Sequence, residues 1–119
     1  ICNTVYITQS TSEECLHLYT EEEWEKVAAK VNQLPTATDR NAAAFVRLFF
    51  GKATAVVVDK QGRVPISKRL LEFAGLTKDV VLVGANTRLE IWDAKKWNDY
   101  QDELSSVMLD GILKYNLNI

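Results

Sequence analysis

Eleven consecutive positions hold the side chains best suited to chemistry in this sequence: Asp59, Lys60, Arg63, Lys68 and Arg69. Asp59 precedes Lys60-Gln61-Gly62, so its carboxylate can accept hydrogen bonds from the backbone N–H groups that follow, while Gly62 supplies a positive φ at little steric cost. Arg63 then leaves an anchored corner. Two readings of that corner stand. Asp59 and Arg63 pair across an exposed turn, which contributes little, or Asp59 orients Arg63 towards a ligand. The four cations likewise form either a solvated charged face or a footprint for phosphates.

Other reactive side chains are sparse. The single histidine, His17, falls opposite Leu16 and Leu18 in a strand-like alternation and is predicted at the surface, with no nucleophile or carboxylate set around it by a motif. No catalytic role is therefore assigned, and the chain is expected not to be an enzyme. Cys2 and Cys15 stand 13 positions apart in a chain with one histidine. That spacing gives neither a zinc motif nor a C-x-x-C redox pair, so reduced thiols are expected, with Cys15 buried in a strand and neither metal nor cofactor implied.

The charge is small in sum and uneven in place. The formal net charge is −2, yet residues 1–25 hold six acids and no base, whereas residues 26–100 hold thirteen bases against seven acids. The middle of the chain is the part suited to a polyanion. At 119 residues with 47% hydrophobic content, a packed core is within reach. No apolar run approaches the roughly 20 residues that span a bilayer, and no secretory leader opens the sequence, so a cytosolic protein is expected.

These side chains must be positioned by short elements. Ala53 to Gly75 reads as strand, turn, strand and helix: β-branched residues at Thr54–Val58, the Asp59 turn, a second strand from Arg63, and a helix from Ser67 to Gly75. Upstream, Thr4–Gln9 and Cys15–Tyr19 read as paired strands joined by Ser10–Glu14. Thr20 fits an N-cap with Glu23 completing a capping box, and Trp24, Val27, Ala28, Val31 and Leu34 then follow at helical spacing until Pro35. A second helix is predicted from about Arg40 to Phe50, apolar on most sides and so either deeply buried or covered by another subunit. Near the end, Trp97, Tyr100, Leu104, Val107 and Met108 read as an amphipathic helix. Residues 112–119 read either as a segment packed on a neighbouring subunit or as a loosely held tail.

The sequence also repeats itself. Leu16–Trp24 matches Leu89–Trp97 at a constant offset of 73, each a strand leading through a cap residue, Thr20 or Asp93, into a helix with a tryptophan on its second turn. Val5–Thr8 corresponds to Val80–Val83. The Asp59 turn precedes only the second copy, so the chain is expected to lack the first half of its first repeat.

Together these blocks resemble the MraZ family of bacterial transcriptional regulators. The residues that carry the resemblance are D-x-x-G-R at Asp59–Arg63, K-R-L-L-E-F-A-G-L from Lys68, Lys78–Gly84, Arg88–Trp92, Lys95–Trp97, Leu16–Tyr19, Trp24 and Phe45–Phe50. The resemblance implies an α+β fold: two AbrB-type swapped-hairpin repeats forming a small β-barrel core with flanking α-helices. It divides the chain into a partial first repeat at 1–35, a connecting helix at 36–52, a complete second repeat at 53–100, and a C-terminal helix and tail at 101–119. It further implies a cytoplasmic, nucleoid-associated homo-oligomer, ring-like, that binds double-stranded DNA at promoter direct repeats of the division and cell-wall gene cluster. No membrane and no small-molecule substrate enter.

On this resemblance Arg63 reaches the duplex with help from Lys60, Lys68 and Arg69, Asp59 orients the turn, and Gly62 forms it. The truncated first repeat implies half of the usual DNA-contacting apparatus. A second reading, a protein-interaction or scaffold module that binds no DNA in this form, draws on the apolar Ala42–Phe50 helix and the negative total charge. One departure sits near the centre: the family usually places proline where Ser67 stands, whereas here Pro65 lies inside the predicted strand. Ser67 can still cap the helix, but Pro65 donates no hydrogen bond, so that strand must be an edge, end early or bulge.

Overall fold

The computed structural model describes residues 3–119; the expected state of Cys2 lies outside them. The fold is α+β. Its elements in order are β1 (Asn3–Gln9), β2 (Leu16–Thr20), α1 (Glu21–Asn32), α2 (Arg40–Gly51), β3 (Thr54–Val58), α3 (Lys68–Ala74), β4 (Val80–Gly84), β5 (Leu89–Asp93), α4 (Ala94–Glu103) and α5 (Val107–Lys114). Among the described residues the five strands form one antiparallel sheet of order β3-β1-β2-β5-β4. β3 and β4 are its two edges.

Positions related by the sequence offset of 73 meet in the register. β2 pairs with β5 so that His17 faces Glu90, Leu16 faces Ile91 and Leu18 faces Leu89. His17 and Glu90 are also equivalent under the offset of 73, so the two copies meet at a shared central pair. The outer pairs agree, with Val5 opposite Thr20 in one copy and Val80 opposite Asp93 in the other.

Each face of the sheet is covered in its middle. Alternation along β1, β2 and β5 sends Ile7, Leu16 and Ile91 to one side, where Leu70 and Ala74 of α3 close over them. The opposite side carries Tyr6, Thr8, His17, Tyr19, Glu90 and Trp92. Trp24 of α1 lies between Tyr6 and Phe49, with ring centroids at 5.2 and 5.6 Å and near-parallel planes. Trp97 and Tyr100 of α4 pack on Trp92 at 5.3 and 5.0 Å. His17 is consequently buried, not at the surface as the alternation alone predicts.

Local signals set the helix starts. Thr20 Oγ1 accepts from Glu23 N–H at 3.2 Å, Asp39 from Asn41 and Ala42, Ser67 from Leu70, and Asp93 from Lys96. The capping box at Thr20 is only half made, because the Glu23 carboxylate turns to Lys26 at 3.3 Å. At the other end of α3, Gly75 sits at φ 64° and Leu76 N–H reaches Leu71 O at 2.9 Å, which closes the helix with a left-handed residue that favours glycine.

Two further expectations are corrected, and one of two alternatives is ruled out. Arg63–Ile66 forms no regular strand: Pro65 offers no N–H, and Val64 and Ile66 turn into the core without a ladder partner. Cys15 is fully buried but lies in the bend before β2 and not within a strand. α2 is not deeply buried. Only Ala42 of that helix is enclosed, while Phe45 and Leu48 stay exposed, as do Met108 and Leu113 of α5.

Candidate nucleic-acid interface

The β3–α3 connection presents its cations on a corner tied by one carboxylate. Asp59 Oδ1 accepts from Gln61 N–H at 2.9 Å and Arg63 N–H at 2.8 Å, and Oδ2 accepts from Arg63 Nε at 2.8 Å. The backbone closes the same loop, with Asp59 N–H donating to Arg63 O at 2.9 Å and Gly62 N–H to Asp59 O at 3.0 Å. Gly62 takes φ 79°, a conformation that disfavours any side chain there. Five bonds fix one short turn.

Asp59 and Arg63 do pair, and that pairing does not withdraw the cation. The Arg63 side chain is 74% exposed, and only its Nε is engaged by Asp59, which leaves the terminal nitrogens unused by that pair. A guanidinium held by Nε keeps the two-pronged donor edge that phosphates and guanine accept. Lys60 lies exposed on the turn itself.

Lys68 and Arg69 sit on the first turn of α3. Lys68 reaches Glu72 at 3.9 Å and is otherwise free in solvent. Arg69 Nη2 donates to the Gly51 carbonyl at 3.5 Å, so it leans back on the C-terminus of α2, where the helix dipole favours a cation. The structure thus gathers Asp59, Gly62, Arg63 and Lys60 at the tip and sets Lys68 and Arg69 behind them.

The Asp59 carboxyl is held below its ordinary value of 3.8, first by the Arg63 backbone N–H, then by the Arg63 side chain. A depressed value means that the tie is complete above pH 3.8 and is lost as pH falls through the depressed value. The Arg63 Nε–H resonance is therefore expected to shift with a midpoint below pH 3.8. A transition above that pH in an NMR titration overturns the assigned tie.

A second cluster was not legible from spacing. Cys15, His17 and Glu90 converge on the aromatic side of the sheet, their ligand atoms within 4.8 Å of one another. The signal was present only in combination: Cys15 and His17 share a face two residues apart, and Glu90 arrives through the repeat. The trio is unsuited to nucleophilic catalysis, since the Cys15 thiol is fully buried and pushed up to about 11, by burial first and then by Glu90.

The family model described as "MraZ protein, putative antitoxin-like" matches residues 49–112, which include the whole Asp59–Arg69 corner. The transcriptional regulator MraZ of Acetivibrio thermocellus is 46% identical over 98 residues, covering 82% of this chain and 68% of the relative. Those of Clostridium tetani and Clostridium acetobutylicum are 41% identical over 97 residues and 43% identical over 98, covering 68% and 67% of the relatives.

Proposed function

The chain belongs to the MraZ family, and from that premise we propose that it is a transcriptional regulator that binds double-stranded DNA through the Asp59–Arg69 corner. The observation that carries this reading is Arg63, exposed by 74% yet fixed at its Nε, on a turn pinned through five bonds. A preorganised cation loses little freedom on meeting a phosphate or a base edge. Lys60, Lys68 and Arg69 add charge alongside, Asp59 orients and Gly62 permits the turn. The role requires no catalysis, no cofactor and no small-molecule substrate.

The finer features follow the same premise. The proposed units are AbrB-type swapped-hairpin repeats at 1–35 and 53–100, contributing to a small barrel, with 36–52 connecting them and 101–119 completing the chain. We place the protein in the cytoplasm at the nucleoid, as a ring-like homo-oligomer on direct repeats in the promoter of the division and cell-wall gene cluster. The exposed apolar side chains Phe45 and Leu48 of α2 and Met108 and Leu113 of α5 support self-association, because exposed apolar surface of this kind is normally covered by protein. No described helix is long and apolar enough to cross a membrane.

Salt decides between this reading and a scaffold that binds only protein. Two corners engaged at once bring about eight cations to phosphates, so affinity for a duplex carrying the promoter repeats is expected to fall about a thousandfold or more between roughly 50 and 200 mM salt. An apolar protein interface barely responds over that range. Fluorescence anisotropy showing no binding to the duplex at the lower salt, or binding indifferent to salt, rejects the corner as a DNA contact.

A further inference from the structure

Two buried polar atoms on the aromatic side of the sheet, His17 Nε2 and Arg88 Nε, have no hydrogen-bond partner among the described residues. An orphaned polar atom in a core costs free energy, so its persistence calls for a reason. His17 is 7% exposed, and its Nε2 stands 3.4 Å from Glu90 Oε2 without meeting hydrogen-bond geometry. Cys15, two residues earlier on the same side, is completely enclosed.

We propose that Cys15, His17 and Glu90 form a binding site for a thiophilic divalent cation of the zinc class, buried where the two sequence copies meet. Thiolate, imidazole and carboxylate are the ligand types zinc takes, and three protein ligands leave a fourth position to water. The ligand atoms lie within 4.8 Å of one another. Bonds of about 2.0–2.3 Å to one ion draw such atoms to about 3.3–3.8 Å, so closure asks a contraction of about 1 Å.

The surroundings fit a ligand role. Glu90 Oε1 accepts from Trp92 Nε1 at 3.0 Å, which fixes the carboxylate, while Oε2 accepts a long bond from Arg88 Nη2 at 3.5 Å. Burial, and next the Arg88 guanidinium, hold the His17 imidazole below its ordinary value, so it is neutral and offers a lone pair. Arg88 is the rival cation, yet its Nη2 stands 3.5 Å from Glu90 Oε2 and its Nε goes unpartnered. A divalent ion outcompetes that loose contact. Residues next to the trio, Thr8, Ser10 and Trp92, line a cavity of about 820 Å³, and Thr8 is the β1 partner of His17.

Binding exchanges a proton for the ion. The Cys15 thiol gives its proton to solvent and becomes the thiolate ligand, and the His17 imidazole gives none. The site stands apart from the DNA reading, because no residue of the Asp59 corner takes part.

The test uses the full chain carrying Cys2→Ser, titrated with Co2+ and then Zn2+. The expected result is one Co2+ per chain with tetrahedral d–d bands and a thiolate-to-cobalt charge-transfer band. Adding Cys15→Ser removes that band, and His17→Gln weakens Zn2+ at least about tenfold. Calorimetry in two buffers of different protonation enthalpy gives one proton released per Zn2+ at neutral pH, a readout that needs no further variant should Cys15→Ser fail to fold. A purely octahedral cobalt spectrum, a charge-transfer band that survives Cys15→Ser, or binding without proton release overturns the site.

Discussion

Arg63→Ala is expected to abolish measurable binding to a duplex carrying the promoter repeats while leaving assembly and stability unchanged. A good two-pronged arginine contact contributes about 1–3 kcal/mol. In the proposed ring-like assembly several copies of that contact compound, so the loss is expected to exceed about a hundredfold in affinity. The fold has little stake in the side chain: it is 74% exposed, and its one ion-pair partner is Asp59. The turn keeps its shape because Gln61 N–H, Arg63 N–H and two backbone bonds hold it without the guanidinium. Arg63→Lys retains charge but not the fork and is expected to recover only part of the affinity. Anisotropy at fixed salt, with light scattering for assembly, makes the measurement. Wild-type affinity for Arg63→Ala removes this residue from the mechanism.

The second large effect is on stability. Leu70→Ala is expected to cost about 2–5 kcal/mol, a large part of the roughly 5–15 kcal/mol that holds a domain folded. α3 has seven residues, too few to persist by its own hydrogen bonds, and it stays in place because Leu70 and Ala74 insert among Ile7, Leu16 and Ile91. The same helix carries Lys68 and Arg69, so its loosening is expected to blur the back of the proposed DNA contact as well. Urea unfolding with an unchanged slope and a lowered midpoint is the expected signature. A loss below about 1 kcal/mol shows that α3 is not the clamp on the core.

What could be read from the chain was mostly local. Thr20, Ser67 and Asp93 announce helix starts by side-chain type and position, and each does accept the expected backbone bond. Asp59 announces its turn in the same way. What escaped depended on partners far along the chain. His17 alternates with leucines as a surface residue does, but its strand is buried on both faces, and alternation cannot distinguish water from a layer of Trp24, Trp92 and Trp97. Glu90 meets His17 across 73 positions, a pairing that no local spacing displays. Arg63–Ile66 has the alternation of a strand without the neighbour that makes one.

The central pair of the sheet carries one more consequence. In an isologous dimer of identical chains, a residue on the two-fold axis faces its own twin, and two glutamates or two protonated histidines 3.4 Å apart repel. Here both sides of that axis belong to one polypeptide, so the facing positions are free to differ, and imidazole stands against carboxylate. Joining the halves covalently removes the obligation of sameness where it is most costly, and the seam becomes the place where a complementary pair can arise.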